Sequence, residues 1–442
     1  MTQVLEQATA ARQEGNWSLL NQYLQQLPLG KKAKQTDSAW QDLNQSDLET
    51  VVNLALDVLE SGDFQERWEV AKVFPSLAEI LLSQGDIQKV LAPLIEILQD
   101  DEAELEVRWF AGRILGGFNH PTAIAALVDL LKTAEDEELA TMSAAALSSL
   151  GESALQALSS LLADPETRLL ATTSLSQIRH PGIIEPLLSV VEDPQVLVRS
   201  TAIEALNSFH DSRIIPVLFK ALHDHAAGVR KEAVIGLGLR GHLREELDLL
   251  NQLKPLLYDF NKEVCRQAAI ALSRLGTNES ADALFAVLKS PATPVPLRID
   301  FIRALGWVET SKALDYLQLS LGDKSTECVT EIVRVLGSLN EPTLKGQAAQ
   351  ILGDFLNWEA SQKVSIVKQT VAQALGQLGD LSAIDGLIGL LADQSASVRF
   401  HAIAALKNFP TAYHKLEKLA TNENLAAEFK EGIAIALTEW KV

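Results

Sequence analysis

Along this chain an apolar residue recurs with small or apolar residues four and eight positions later, often with an arginine directly after the first. The motif is VRWFAGRIL from Val107, VRSTAIEAL from Val198, VRKEAVIGL from Val229 and VRFHAIAAL from Val398. Weaker copies start at Glu66, Leu139, Thr167, Val264, Leu297, Cys328, Val367 and Phe429. Offsets 0, 4 and 8 lie on one helical face, so each copy predicts an amphipathic helix. The twelve starts are separated by 41, 32, 28, 31, 31, 35, 33, 31, 39, 31 and 31 residues. A period near 31 holds two helices of about three turns and two short turns, the signature of stacked helical hairpins. The partner helix of each hairpin is visible as IIEPLLSVV from Ile183, IIPVLFKAL from Ile214, ADALFAVL from Ala281 and AIDGLIGLL from Ala383. Pro186 and Pro216 fall in its first turn, where a missing N–H costs nothing. The expected fold is all-α: an α-solenoid (superhelix) of about twelve helical hairpins.

Two columns of charge run through the array. Asp193, Asp224, Asp259, Asp323 and Asp393, with Glu102, each precede a repeat's first apolar position by five residues. Arg67, Arg108, Arg168, Arg199, Arg230, Arg298 and Arg399 each follow it by one. An aspartate at a helix N-cap satisfies free N–H groups at the positive end of the dipole. It is also placed to meet an arginine of a neighbouring unit, so a structural ladder is expected. The even recurrence argues against catalytic acids.

Composition narrows the function. Hydrophobic residues make up 47% of the chain but aromatics only 5%, which predicts an aliphatic, helix-favouring core. The formal net charge is −20; residues 1–140 hold 24 Asp/Glu against 10 Lys/Arg, net −14, leaving −6 for the other 302 residues. No basic stripe exists to neutralise phosphates, so nucleic acid is not the expected partner. Cys265 and Cys328 have no metal-ligand spacing and sit two repeats apart, which excludes a disulfide framework or structural zinc. No apolar run reaches the ~18 residues of a membrane span and the polar N-terminus lacks a signal-peptide core, so a cytoplasmic location is expected. Glycine-rich phosphate loops, HExxH and nucleophile elbows are missing. His223-Asp224-His225 is metal-ligand in type, but Asp224 belongs to the structural column.

The segments V-R-x-x-A-x-x-A-L, preceded by Asp and alternating with A-I-x-x-L helices, resemble HEAT repeats over residues 60–442. More narrowly they resemble the phycobilisome-lyase HEAT-like type abundant in cyanobacteria. The opening pair, RWEVAKVFPSL from Arg67 and VRWFAGRILGGF from Val107, is similar to a long cyanobacterial HEAT protein that partners an A-type iron–sulfur carrier. The resemblance implies that the V-R helices line a concave binding side, with offsets 2 and 6 facing solvent. Those offsets bring forward Trp68, Lys72, Trp109 and Arg113 from adjacent repeats, and Arg303 and Arg334 from another adjacent pair. Tryptophan and arginine are enriched at binding hot spots. Each tryptophan is expected one turn from its own cation.

The function this implies is a non-enzymatic scaffold, as a monomer or in a hetero-complex and with no cofactor. It would bind a folded protein on its concave face, an A-type iron–sulfur carrier or a photosynthetic assembly component. The alternative is a single-chain phycobilin lyase/isomerase or lyase chaperone, whose groove would hold an open-chain tetrapyrrole for a phycobiliprotein cysteine. The expected organisation is an N-terminal helical cap over residues 1–60, the repeat solenoid over 61–424 and a capping helix over 425–442. The cap would contain a basic loop at Lys31, Lys32 and Lys34.

Overall fold

A computed structural model describes residues 2–27, 45–358 and 364–440; the basic loop at Lys31–Lys34 lies outside these. Among the described residues every regular element is helical. The chain divides into two compact units, residues 1–214 and 215–442.

In the first unit, α1 (Thr2–Gln13) and α2 (Trp17–Gln26) form a hairpin. Gly15 makes its turn at a positive φ of 66°, and the Asn16 side chain caps α2 by accepting from the Leu19 amide. Arg12 ties the hairpin to Asp57 of α3 (Gln45–Ser61) at 2.7 Å. Buried Asn21 donates to the Glu66 carbonyl of α4 (Phe64–Ala71). The long first step between repeats holds two helices, α5 (Phe74–Gln84) and α6 (Gln88–Gln99). Then follow α7 (Leu105–Leu115), α8 (Pro121–Thr133), α9 (Glu137–Ser149), α10 (Leu155–Leu161), α11 (Arg168–Ser176), α12 (Ile184–Leu188) and α13 (Val196–Leu206). The V-R helices α4, α7, α9, α11 and α13 pack in succession as one row, and α6, α8 and α10 as a second.

The second unit begins within α14 (Ile214–Ala221). It continues with α15 (Ala227–Gly238), α16 (Leu249–Leu253), α17 (Lys262–Ser273), α18 (Asn278–Leu288), α19 (Val295–Val308), α20 (Ser311–Ser320) and α21 (Thr326–Gly337). The remaining helices are α22 (Pro342–Leu356), α23 (Ser365–Leu378), α24 (Ala383–Gly389), α25 (Ala396–Leu406), α26 (Ala412–Ala420) and α27 (Ala427–Glu439). Odd-numbered helices α15 to α25 form one row, and α18, α20, α22 and α24 the other. This is α-solenoid architecture. Offsets 0, 4 and 8 are buried in each regular copy, for example Val229, Ala233 and Leu237.

Close approach of successive V-R helices depends on a glycine at offset 9. A Cβ on Gly337 would stand 2.5 Å from the Ala374 Cβ and 2.7 Å from its Cα. Gly116 against Ala146, Gly238 against Ala271 and Gly376 against Ala405 repeat the contact. Gly337→Ala is therefore expected to destabilise the second unit by about 1–2 kcal/mol, because overpacking outweighs alanine's helix propensity. Gly353→Ala, with nothing within 4 Å of the new methyl, is expected to be neutral or slightly stabilising. Thermal unfolding of the two variants checks the contrast.

The charged ladder forms, with a correction to its chemistry. Arg168 meets Asp193 at 2.7 Å, Arg230 meets Asp259 at 2.7 Å, Lys368 meets Asp393 at 2.6 Å, and Arg298 meets Asp323. Yet the aspartates are not N-caps. The caps are Gln195, Asn261, Ser325 and Ser395, two residues further on. Each aspartate instead accepts from the amide two residues later and closes the turn before the helix. Asp224 closes the same turn onto the Ala226 amide. The cation also reaches back to carbonyls of its own loop, as Arg230 does to Asp224 and His225 and Arg399 to Asp393 and Gln394. Where Cys265 replaces arginine, its thiol donates to the Asp259 carbonyl. Glu102 takes no such part: Arg67 pairs with Glu104 and Glu106, and Arg108 with Asp101.

Burial alone would raise the Asp259 carboxyl, but hydrogen bonds from Arg230 and the Asn261 amide outweigh it and hold it below its ordinary range. A depressed carboxylate stabilises the fold fully above its unfolded value, about 4, and loses that contribution as pH falls through the lower folded value. Asp259→Asn is expected to cost ~1–2 kcal/mol at neutral pH. The gap between variant and parent should close as pH falls below about 4. Urea unfolding as a function of pH checks it.

Candidate functional site

In the first unit, α4 and α7 bring four rings and one guanidinium together. Phe110, at offset 3 of α7, is fully buried and forms the floor. Phe64 and Trp109 meet it edge-on at centroid distances of 5.4 and 5.2 Å, and Trp68 at 6.4 Å. Phe64 stacks on Trp68 at 6.2 Å and remains 54% exposed. Both indoles are half-buried. The Arg113 guanidinium carbon lies 4.3 Å from the Trp68 ring centroid and 5.5 Å from that of Trp109. Helical spacing explains this: Arg113 is one turn beyond Trp109 on α7, while the packing of α4 on α7 carries Trp68 across.

A cation over an indole face is attracted by the ring quadrupole, by about 0.5–1 kcal/mol where exposed and ~2 where desolvated. Among the described residues, Arg113 makes no ion pair or hydrogen bond. Its neighbours Arg67 and Arg108 both end on carboxylates. Arg113 ends on rings and is exposed, with no partner for its N–H edge among the described residues.

The four residues expected together therefore separate into three and one. Trp68, Trp109 and Arg113 converge, with one cation serving both indoles rather than one each. Lys72 does not join them. α4 stops at Ala71, so Lys72 becomes its C-cap and turns back to Glu69 at 2.7 Å. That hydrogen bond is the main reason the Glu69 carboxyl is held below its ordinary range. Phe64 and Phe110 went unpredicted because they lie outside offsets 2 and 6. The FQERW spacing of Phe64 and Trp68, one turn apart, was the available signal.

In the second unit, Arg303 of α19 and Arg334 of α21 clasp one buried carboxylate, Glu331, at 2.5 and 3.3 Å. Asp300 stands 3.9 Å from Arg303; burial raises its carboxyl despite Arg266 and Arg303 nearby. The adjacency expected of the two arginines is present, but both are engaged by Glu331. Offset 6 is solvent-facing at both, whereas offset 2 at Thr330 is buried. No group of three or more His, Cys, Asp or Glu among the described residues could hold a metal ion. No described helix is long and apolar enough to cross a membrane.

Paired helical rows of this kind define a helical-repeat scaffold. The family of HEAT repeats matches at residues 91–176, 155–238, 184–253, 215–296 and 248–337, and the PBS lyase HEAT-like repeat at 367–393. Those HEAT matches span more than half of the chain, and the chain belongs to the HEAT-repeat family. It is 28% identical over 243 residues to deoxyhypusine hydroxylase-B of Oryza sativa subsp. japonica, covering 49% of this chain and 78% of that one. Its fold is similar to that of Kap95p in a structure with RanGDP (TM-score 0.51, 14% identity, 96% of this chain and 60% of that one). Also similar is the CpcE–CpcF phycocyanin lyase of Nostoc sp. PCC7120 (TM-score 0.32, 17% identity, 58% of this chain and 94% of that one).

Proposed function

We propose that this HEAT-repeat scaffold holds a folded protein partner on the surface made by its V-R helices, and that the α4–α7 cluster is the anchor of that contact. One observation carries the proposal: Arg113 lies over two half-buried indoles and has no carboxylate partner among the described residues. The arginines of the ladder, and Arg67 before it, end on carboxylates or backbone carbonyls. A guanidinium fixed by ring faces is pre-organised for something outside the molecule. The partner proposed is an A-type iron–sulfur carrier, on the strength of the RWEVAKVFPSL and VRWFAGRILGGF resemblance, or else a photosynthetic assembly component. Purified carrier titrated against this protein and its Trp109→Ala variant tests the reading. Binding that the variant loses supports it, and equal binding by both removes the cluster from the contact.

The second reading, a phycobilin lyase or lyase chaperone, draws on the PBS lyase HEAT-like match and on the fitness of Arg113 for a bilin propionate. A red-shifted, sharpened visible spectrum on mixing the protein with phycocyanobilin would favour it over the scaffold.

A further inference from the structure

We infer that the Arg113 guanidinium receives the side-chain carboxylate of a partner's Asp or Glu, with an adjacent apolar residue of the same segment resting on Phe64. The inference rests on the scaffold reading and specifies the chemistry of its anchor.

The two indoles hold the guanidinium by its face and leave its edge to other partners. Guanidinium is planar with five N–H donors along its edge. Stacked on ring faces it keeps that edge free for a bidentate acceptor, and carboxylate and phosphate have the matching geometry. The surroundings choose between them. Glu69 on α4, Glu106 and the N-cap Glu104 of α7 and Asp101 in the turn before it are already engaged by Lys72, Arg67 and Arg108. They lie in the stretch whose net charge is −14. A dianionic phosphate or a polyanion is disfavoured by that net charge, whereas a single carboxylate is matched by the one cation of α4 and α7 that has no ion pair among the described residues.

The source of the carboxylate follows from the backbone. A chain-terminal carboxylate is captured by a nest of free N–H groups. Arg113 lies near the end of α7, where amides donate within the helix and Gly116 donates to the Gly112 carbonyl. Among the described residues the amides at that end of α7 are spent on helical carbonyls, which favours a side-chain acceptor. The second contact comes from Phe64, which is more exposed than the rings it touches and lies beside Trp68. An acid with an apolar neighbour covers both, and basic residues further out on the partner would complement the rim.

The test uses the full chain labelled with 5-fluorotryptophan, the Trp68 and Trp109 fluorine signals being assigned with Trp68→Phe and Trp109→Phe variants. The probes are acetyl-leucyl-glutamyl-leucine amide, its glutaminyl and phosphoseryl counterparts, and acetyl-leucyl-glutaminyl-leucine with a free C-terminus. The expected result is a saturable shift of both signals with the glutamyl peptide. The glutaminyl amide should bind about tenfold more weakly, since a charge-assisted pair is lost. Arg113→Met should abolish the preference while keeping its helical circular dichroism. The inference is overturned if the glutaminyl amide binds equally, if the phosphoseryl or free-terminus peptide binds more tightly, or if no probe shifts either signal. Should the glutamyl peptide fail while Trp109→Ala still weakens a protein partner, the carboxylate falls and the scaffold reading stands. A glutamyl peptide that binds beside an indifferent carrier protein supports the carboxylate and removes that partner.

Discussion

Replacing Phe110 with alanine is expected to cost ~4 kcal/mol of stability, the largest single effect in the first unit. The ring is fully buried and is touched by Phe64, Trp68 and Trp109 from two helices. Its loss removes a large apolar transfer contribution, opens a cavity at the α4–α7 contact and forfeits three edge-on ring interactions. Both indoles should lose their fixed orientation, so near-ultraviolet dichroism should collapse further than the far-ultraviolet signal. Urea denaturation followed at both wavelengths measures this. A variant within 1 kcal/mol of the parent would show that the rings close over the gap without it.

The second large effect falls on affinity. Trp109→Ala is expected to weaken partner binding by roughly 2 kcal/mol, about thirtyfold, as truncated hot-spot residues do. Its melting temperature should fall only slightly, because Phe110 beneath remains packed. Arg113→Ala should lose less affinity and make what remains less sensitive to salt. Because the guanidinium lies over both indoles, the two substitutions should not be additive, with a coupling of about 0.5–2 kcal/mol in a double-mutant cycle. Additive losses would mean that ring and cation meet the partner independently. A large fall in melting temperature with unchanged affinity would make the indoles packing residues between repeats.

The architecture was legible because each repeat states it again. A 3.6-residue periodicity at offsets 0, 4 and 8 survives even in copies as irregular as that at Thr167, and α11 forms there. Exposure of offset 6 followed from the same geometry, and Arg113, Arg303 and Arg334 are all exposed. What pattern alone could not supply was where helices end. Apart from α11, the V-R helices begin two residues before the first position of the motif, as α13 does at Val196, so the aspartates fall in the turn rather than at the cap. Likewise α4 ends at Ala71, which turns Lys72 away from Trp68. The importance of Phe110 was hidden for another reason. Offset 3 holds Glu232, Asp300 or Glu331 elsewhere, and only the packing of α4 on α7 makes an aromatic there a hub.

The ladder has a mechanical corollary. In the second unit its rungs join α15 to the turn before α17, α19 to the turn before α21, and α23 to the turn before α25. At the intervening junctions the same position carries Cys265 and Val329, neither of which can extend a cation. The row is thus a series of clamped doublets alternating with unclamped joints. When springs act in series, deformation collects in the softest. Strain imposed on the row would meet neither rung nor glycine contact at the α17–α19 joint, whereas at α21–α23 the close packing of Gly337 on Ala374 stands in for the missing rung.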